Sequence, residues 1–378
     1  MLAAWLWREP AELAFLRRGS LEGIERYALS HPDSLPGQEL LATSYLDADR
    51  PQDAVRVLTP LVERYPVRPS VRRLLGRALL SSGDVRAAYA HLQVAIHDLG
   101  ASDADTLYWT GRAEEAAGQG DAALALYREA LQKDPRHPAL LIHLAQVAAM
   151  GDRYSEAESY FRQAAAVAPQ SVEVAAGAAE MAFRLGKIAE AVVSARRAQT
   201  LAPQDPAANL WLGRALAAED AQQHGAEAEA AFRRSIAGST EKWTPRFYLA
   251  QLLRERGRLA EAETELETNV RENPLHESSF YELSLCARAL GHTERAASAM
   301  RRFRRLNRLS LAAAQLEYQL KVSPRDLALR LKLARLYFRN GRPDLARPQV
   351  DRVLREKPGD PQARQLSAEI AAHPEPTL

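Results

Sequence analysis

PALLIHLAQVAAMGDRYSEAESYFRQAAAVAPQS, residues 138–171, reads as two amphipathic helices joined by a tight turn and closed by a proline. In the first helix Leu141, Leu144, Ala145 and Ala148 recur at the three-and-four spacing of one helical face. Gly151 and Asp152 interrupt the pattern, and Ala157, Tyr160, Phe161 and Ala164 restore it until Pro169 stops it. Neither helix can bury its stripe alone, so the pair requires neighbours.

The neighbours are further copies of the pair. Residues 172–205 end AQTLAPQD where the first stretch ends AAAVAPQS, so Pro203 follows Pro169 by 34 residues. Pro135 precedes Pro169 by 34, and Pro66 follows Pro32 by 34. A fixed period of this size marks a helical repeat array. A small residue recurs midway along each first helix, at Ala42, Gly76, Gly111, Ala145, Ala179, Gly213, Ala250, Ser284 and Ala334. An alanine recurs early in each second helix, at Ala54, Ala88, Ala123, Ala157, Ala191, Ala228, Ala262, Ala296 and Ala346. Helix axes approach to ~8–10 Å only over small side chains. Glycine closes first helices at Gly83, Gly118, Gly186, Gly257, Gly291 and Gly341.

With these marks the chain resembles the tetratricopeptide repeat proteins over nearly its whole length. The resemblance implies an all-α right-handed α-solenoid of about ten antiparallel helix pairs. Residues 1–34 read as a degenerate first repeat, in which Trp5 and Trp7 either cover the first helix face or lie near a partner surface, and Pro10 suits a first turn. The main array covers 35–310, in units 35–68, 69–102, 104–137, 138–171, 172–205, 206–242, 243–276 and 277–310. The 206–242 unit carries a three-residue insertion at AAEDAQQHGAEAE. From Pro274 to Pro324 the spacing is 50 residues, so 311–326 is expected to be an unpaired helix, with a bend or module boundary near 307–326. A final unit at 327–360 and a capping helix within 361–378 follow, with a fraying tail.

Composition narrows function mainly by exclusion. Lys+Arg 50 against Asp+Glu 48 gives no global attraction to nucleic acid. Arginine outnumbers lysine 44 to 6, as GC-rich bacterial coding produces, so an arginine at any one position is weak evidence of a role. The single Cys286 falls in a first-helix pattern, is expected to be buried, and cannot form an internal disulfide. No apolar run approaches the ~20 residues of a membrane span. The opening MLAAWLWREP lacks a basic start, and its apolar run is too short for a signal peptide. The compartment is therefore expected to be cytoplasmic by default, or periplasmic if a segment precedes Met1.

No catalytic constellation emerges, and neither cofactor nor metal is expected. HESSF at 276–280 lacks a second histidine four residues after the first, GQGDAA at 118–123 lacks the third glycine of a dinucleotide loop, and Gly186-Lys187 has no glycine at phosphate-loop spacing. The nine histidines are scattered, without metal-binding pairs.

What remains is surface. In the resembled family, first helices line a concave face that holds an extended segment or a helix of another protein. Carried onto this chain, the inward slots are Arg73 and Arg77, Tyr108 and Arg112, Ile142 and Gln146, Leu210 and Arg214, Phe247 and Gln251, and Tyr281 and Leu285. Of these, Arg73, Arg77, Tyr108, Arg112, Gln146, Arg214, Phe247, Gln251 and Tyr281 are the candidate partner-binding residues. Aromatic and arginine side chains carry most hot spots. Trp109, Trp211 and Tyr248 adjoin these slots and are read as packing between repeats. The family's chaperone-tail clamp uses lysines and asparagines, whereas Glu39, Thr43, Arg73, Arg77, Tyr108 and Arg112 stand at the matching slots, so a chaperone-tail adaptor is not expected.

The densest charge is MRRFRRLNRL, where Met300, Phe303 and Leu306 should face inward and leave Arg301, Arg302, Arg304, Arg305 and Arg308 outside. These arginines are either a solvated face or an anion site. The reading is a non-enzymatic interaction scaffold. The alternatives are a structural subunit of a bacterial envelope, polysaccharide-export or secretion assembly, and a nucleic-acid or anionic-surface binder at Arg301–Arg308. Self-association through terminal repeats also stays open.

Overall fold

The computed structural model describes residues 20–373 together with Leu16; Trp5, Trp7 and Pro10 lie outside them, as does the end of the tail. Twenty α-helices follow one another: α1 (Leu21–Ser30), α2 (Leu35–Asp47), α3 (Pro51–Arg64), α4 (Pro69–Ser81), α5 (Val85–Gln93), α6 (Ala104–Ala116), α7 (Gly120–Lys133), α8 (Pro138–Met150), α9 (Tyr154–Val167), α10 (Val172–Arg184), α11 (Ile188–Leu201), α12 (Pro206–Asp220), α13 (Gly225–Gly238), α14 (Trp243–Glu255), α15 (Leu259–Glu272), α16 (Glu277–Ala289), α17 (Thr293–Val322), α18 (Leu327–Arg339), α19 (Pro343–Glu356) and α20 (Pro361–Ala372). No strand occurs among the described residues. The fold is an all-α solenoid of packed helix pairs, divided into two compact units, 1–169 and 170–378.

Most first helices start on a side-chain cap. Ser34, Asp103, His137, Ser171, Asp205 and Asp326 each accept a backbone N–H from the first turn of the helix that follows. Such a cap is worth ~1 kcal/mol relative to alanine. The unit at 69–102 departs from the 34-residue period by one residue. A wide π turn at Val94–Asp98, at the end of α5, accommodates it.

In three pairs the helices close with a first-helix glycine against a large second-helix side chain, Leu92, Tyr127 or Phe232. A Cβ placed on Gly111 would stand 2.5 Å from the Tyr127 ring, and one on Gly213 would stand 2.7 Å from Phe232. The recurrent second-helix alanines, among them Ala54, Ala88, Ala157, Ala191 and Ala262, are fully buried. In the unit 170–378 this packing builds a large cluster between Ala179 and Ala299, through Leu212, Leu216, Phe232, Leu249, Leu253, Leu266 and Cys286, with separate clusters on Leu333 and on Leu331, Val350 and Leu366. In the unit 1–169 separate clusters form on Leu58, Val71 and Leu75, and on Leu107, Tyr127 and Leu140. Cys286 is the buried thiol that its position implied, and burial pushes its pKa up to about 11.

The region around 311–326 needs a correction. It is not a separate helix, because α17 runs unbroken for 30 residues and 311–322 is its C-terminal part. Nothing from Thr293 to Val322 is glycine or proline, so the backbone has no reason to stop before Ser323 and Pro324.

Alanine at position 213 would gain ~1 kcal/mol of helix propensity over glycine. It would also push on Phe232, which is wholly buried and cannot yield. Overpacking typically costs ~1–3 kcal/mol. Gly213→Ala is therefore expected to lower the urea midpoint of the unit 170–378, read by tryptophan fluorescence, whereas propensity alone would raise it.

Candidate functional site

The repeat period places residues ~30 positions apart side by side, and in the unit 1–169 this determines what the predicted arginines do. Arg73 donates to Asp103 and Asp105 of the next repeat, 2.9 Å to each. Asp105 also accepts from His137 Nε2 at 2.9 Å, and that bond, reinforced by Arg73, holds its carboxyl below the usual range. Arg77 reaches back to Asp47 at 3.0 Å and lies 5.2 Å over the Trp109 ring. Arg112 donates to the Tyr108 hydroxyl at 3.1 Å and sits 3.7 Å from Glu115, which also accepts a hydrogen bond from the Tyr127 hydroxyl at 2.9 Å. These three arginines are tied to their own chain. Tyr108 is 3% exposed, a core ring of the Leu107–Tyr127 cluster and not a displayed anchor. Gln146 is exposed on α8.

The unit 170–378 differs. Arg214, on the first helix α12, is held among three rings: Phe183 of α10 at 4.4 Å, Trp211 one turn back at 4.5 Å, and Tyr248 of α14 at 4.2 Å from the guanidinium carbon. Its Nε is buried without a hydrogen-bond partner. Among the described residues it makes no ion pair, since neighbouring Glu180 is engaged by Arg184 at 2.8 Å. Burial lowers its pKa, yet a guanidinium stays charged at any physiological pH. Ring faces supply ~0.5–2 kcal/mol of cation–π attraction but accept no N–H in the guanidinium plane. The cation is positioned and left unneutralised.

Arg214 lines a cavity of about 270 Å³ with Phe183, Ala218, Tyr248, Gln251 and Glu255. Tyr248 and Gln251 also line a second cavity of about 400 Å³, completed by Phe247, Tyr281, Glu282 and Phe303. The two therefore form one trough across α12, α14 and α16. Gln251 donates to Glu282 at 3.1 Å, and Arg254 pairs with the same carboxylate at 2.8 Å, so that acid is neutralised, while Glu255 stands exposed as a second acid of the Arg214 cavity. Tyr281 is 41% exposed, its ring 5.2 Å from Phe303. Phe247 is 9% exposed and packs on Trp243's neighbour His276 at 4.8 Å. Like Tyr108 it is core, which corrects its reading as an anchor.

Of the nine predicted groove residues, the trough brings together Arg214, Gln251 and Tyr281, with Phe247 beneath. Phe183 was missed as a ring lining the trough, and Tyr248, read as packing between repeats, lines it too. The available signal was their distance from Arg214, 31 residues before and 34 after, which the repeat converts into contact. The arginines of α17 lie elsewhere. Arg301, Arg304, Arg305 and Arg308 are exposed and Arg302 is half-buried, 5.9 Å over Phe280.

Comparison with known proteins agrees with the architecture. One tetratricopeptide repeat model matches residues 114–181 and 303–370, and a second matches 40–105 and 247–306. The chain belongs to the tetratricopeptide repeat family, whose repeats serve as protein-interaction scaffolds. It is 27% identical over 391 residues to cellulose synthase operon protein C of Xanthomonas axonopodis pv. citri (strain 306), covering 93% of this chain and 24% of that protein. The same-named protein of Pseudomonas fluorescens (strain SBW25) is 29% identical over 189 residues, 47% of this chain and 15% of that one. The chain thus spans a quarter or less of the length of these relatives. Among solved structures, the human IFIT1 dimer with PPP-AAAA aligns with a TM-score of 0.50 at 16% identity, over 92% of this chain and 88% of that one, a likeness of fold alone. Pseudomonas aeruginosa PilF aligns with a TM-score of 0.48 at 19% identity, over 55% of this chain and 92% of that one. Among the described residues no helix is long and apolar enough to cross a membrane, and no cluster of three or more His, Cys, Asp or Glu side chains could hold a metal.

Three histidines give the stability a pH dependence. Burial lowers the pKa of His91, His143 and His276, with Arg72 adding to the effect at His91 and Arg112 at His143. The unfolded chain, with its histidines near ~6.5, takes up protons first, so folding stability falls as pH drops below that value. The melting temperature by circular dichroism is expected to decrease from pH 7.5 to pH 5, and His143→Gln with His276→Gln should flatten that decrease. A melting temperature that rises on acidification would contradict this assignment.

Proposed function

We propose that this chain is a non-enzymatic scaffold of a bacterial cell-envelope assembly, which holds an extended segment of another protein across the first helices of the unit 170–378. The observation that carries the reading is Arg214, a guanidinium fixed by three aromatic rings at 4.2–4.5 Å and left without a carboxylate at the floor of a trough. A partner carboxylate would meet a donor whose rotamer entropy is already lost, which is how preorganisation raises affinity. Tyr248 and Tyr281 would offer flat, rigid contact area beside it, and Gln251 an amide for the partner's backbone. The envelope setting is supported by the curated relatives, both named cellulose synthase operon protein C and one aligned along 93% of this chain. The partner and its place in such an assembly are part of the proposal.

Arg73, Arg77, Arg112 and Gln146 take a secondary role in this reading, because the three arginines are already engaged by their own chain. The test is a panel of extended peptides with and without acidic residues, measured by fluorescence anisotropy against wild type and Arg214→Gln. Losing one charged hydrogen bond costs ~1.5–3 kcal/mol. Acidic binders should therefore weaken about tenfold or more, tenfold being ~1.4 kcal/mol, while Arg77→Gln should leave them within about twofold. Equal binding by wild type and Arg214→Gln would remove the basis of the proposal.

A further inference from the structure

Among the described helices α17, with 30 residues, departs furthest from the length the repeat sets. Its preceding first helix, α16, has 13 residues and α17 has 30. At 1.5 Å per residue these are ~20 and ~45 Å, so α16 flanks only the N-terminal half of α17. Along the inner face Ala299, Leu306, Ala313 and Leu320 are buried at intervals of seven. In the C-terminal half, Ala313, Leu316 and Leu320 pack on Leu329, Leu333 and Tyr337 of α18. The opposite face of that half is open. Leu311, Ala314, Tyr318 and Val322 recur on it at three-and-four spacing, and Leu311, Tyr318 and Val322 are 64%, 69% and 71% exposed. Other strongly exposed large apolar side chains among the described residues, such as Leu29, Val67 and Val193, stand singly. Scattered ones need no explanation, whereas a stripe does.

The stripe continues into charge. One and two turns before Leu311 on the same face stand Arg308 and Arg304, with Arg301 and Arg305 beside them. Among the described residues no carboxylate pairs with any of these four or with Arg302, in contrast to Arg295 at the start of the helix. One helix face thus presents about three turns of mostly apolar surface, interrupted by the exposed Gln315, next to two turns of unneutralised arginine.

We propose that this face docks an amphipathic α-helix of another protein, whose apolar stripe covers Leu311, Tyr318 and Val322 and whose Asp or Glu residues, at one end, meet Arg304 and Arg308. The narrow i, i+3, i+7, i+11 row matches the side-chain spacing by which one helix reads another. A second copy of the chain is disfavoured by charge. The only acidic residue in the C-terminal half of α17 is Glu317, which is occupied by the Tyr337 hydroxyl, so pairing two copies of α17 would bring no carboxylate to the arginines. A membrane surface is disfavoured by width, because helices that lie in the lipid interface bury a broad apolar face and half of this one is committed to α18. The docking face is separate from the Arg214 trough and does not rest on the function proposed for it.

The probes are two designed 18-residue helical peptides with leucine at heptad spacing, carrying four glutamates at the amino or the carboxyl end, and a scrambled peptide of the same composition. Binding to the whole chain is followed by fluorescence anisotropy. One designed peptide should bind wild type with an affinity that falls as salt is added. It should weaken at least tenfold against Arg304→Glu with Arg308→Glu, and likewise against Tyr318→Ser. All three positions are exposed, and an unchanged circular dichroism melt verifies the fold of each variant. Arg214→Gln should leave this binding within twofold, which separates the face from the trough. Binding no tighter than that of the scrambled peptide, or indifferent to these substitutions, would overturn the proposal. So would a sedimenting dimer that Tyr318→Ser dissolves, or retention on phosphatidylserine vesicles that requires the same residues, each of which assigns the face to a different occupant.

Discussion

Everything in this chain depends on how closely the two helices of a pair can approach. Gly76 leaves room for Leu92, Gly111 for the Tyr127 ring and Gly213 for Phe232, and in most other pairs an alanine fills the same place with almost no exposure. Close pairs stack at a nearly constant interval, so a residue finds its lateral neighbour ~30 positions along the chain. The polar ties obey that interval: Arg73 with Asp103 and Asp105, Arg196 with Glu227, Gln251 with Glu282, His292 with Glu263. Individually such exposed pairs contribute little. Their value lies in fixing which first-helix side chains are already engaged and which remain available.

That division separates the arginines into two kinds. In the unit 1–169 Arg73 and Arg77 meet acids of adjacent repeats, and Arg112 meets Glu115 of its own helix. Arg214 meets only rings, and whereas Arg295 at the start of α17 pairs with Glu263 and Glu267, Arg301, Arg302, Arg304, Arg305 and Arg308 make no ion pair among the described residues. Unneutralised cations held in place are costly to maintain for stability alone, because like charges repel within Arg301–Arg308 and burial penalises Arg214. At Arg302 burial and the neighbouring Arg305 both lower the pKa.

Much of the fold was legible in the letters because the repeat makes each unit confirm its neighbours. The 34-residue proline spacing, the small residues and the closing glycines all fall where the helices pair and turn. Gly83, Gly186 and Gly257 do adopt the left-handed backbone that a cap requires. The length of α17 was less legible, because Ser310 interrupts nothing physically even though the repeat count changes there. Pro60 and Pro348 lie inside α3 and α19, where single-residue propensity would end a helix and repeat packing carries it through. The site was legible only in part. Helix slots gave direction but not depth, so Tyr108 and Phe247 were read as displayed when the next layer covers them. The Arg214 cage joins three repeats, and its rings become visible only when residues 31 and 34 positions away are treated as neighbours.

The central claim is that a partner lies along the first helices across Arg214 and Tyr248. The most direct measurement places a photo-crosslinking amino acid at Ala218 or Ser278, both lining the trough, or at exposed Val193 on the second helix α11, and irradiates living bacteria. The account predicts that positions 218 and 278 capture the same protein, that introducing Arg214→Gln abolishes both adducts, and that position 193 captures none of it. Adducts formed from position 193 alone, or trough adducts indifferent to Arg214, would contradict it.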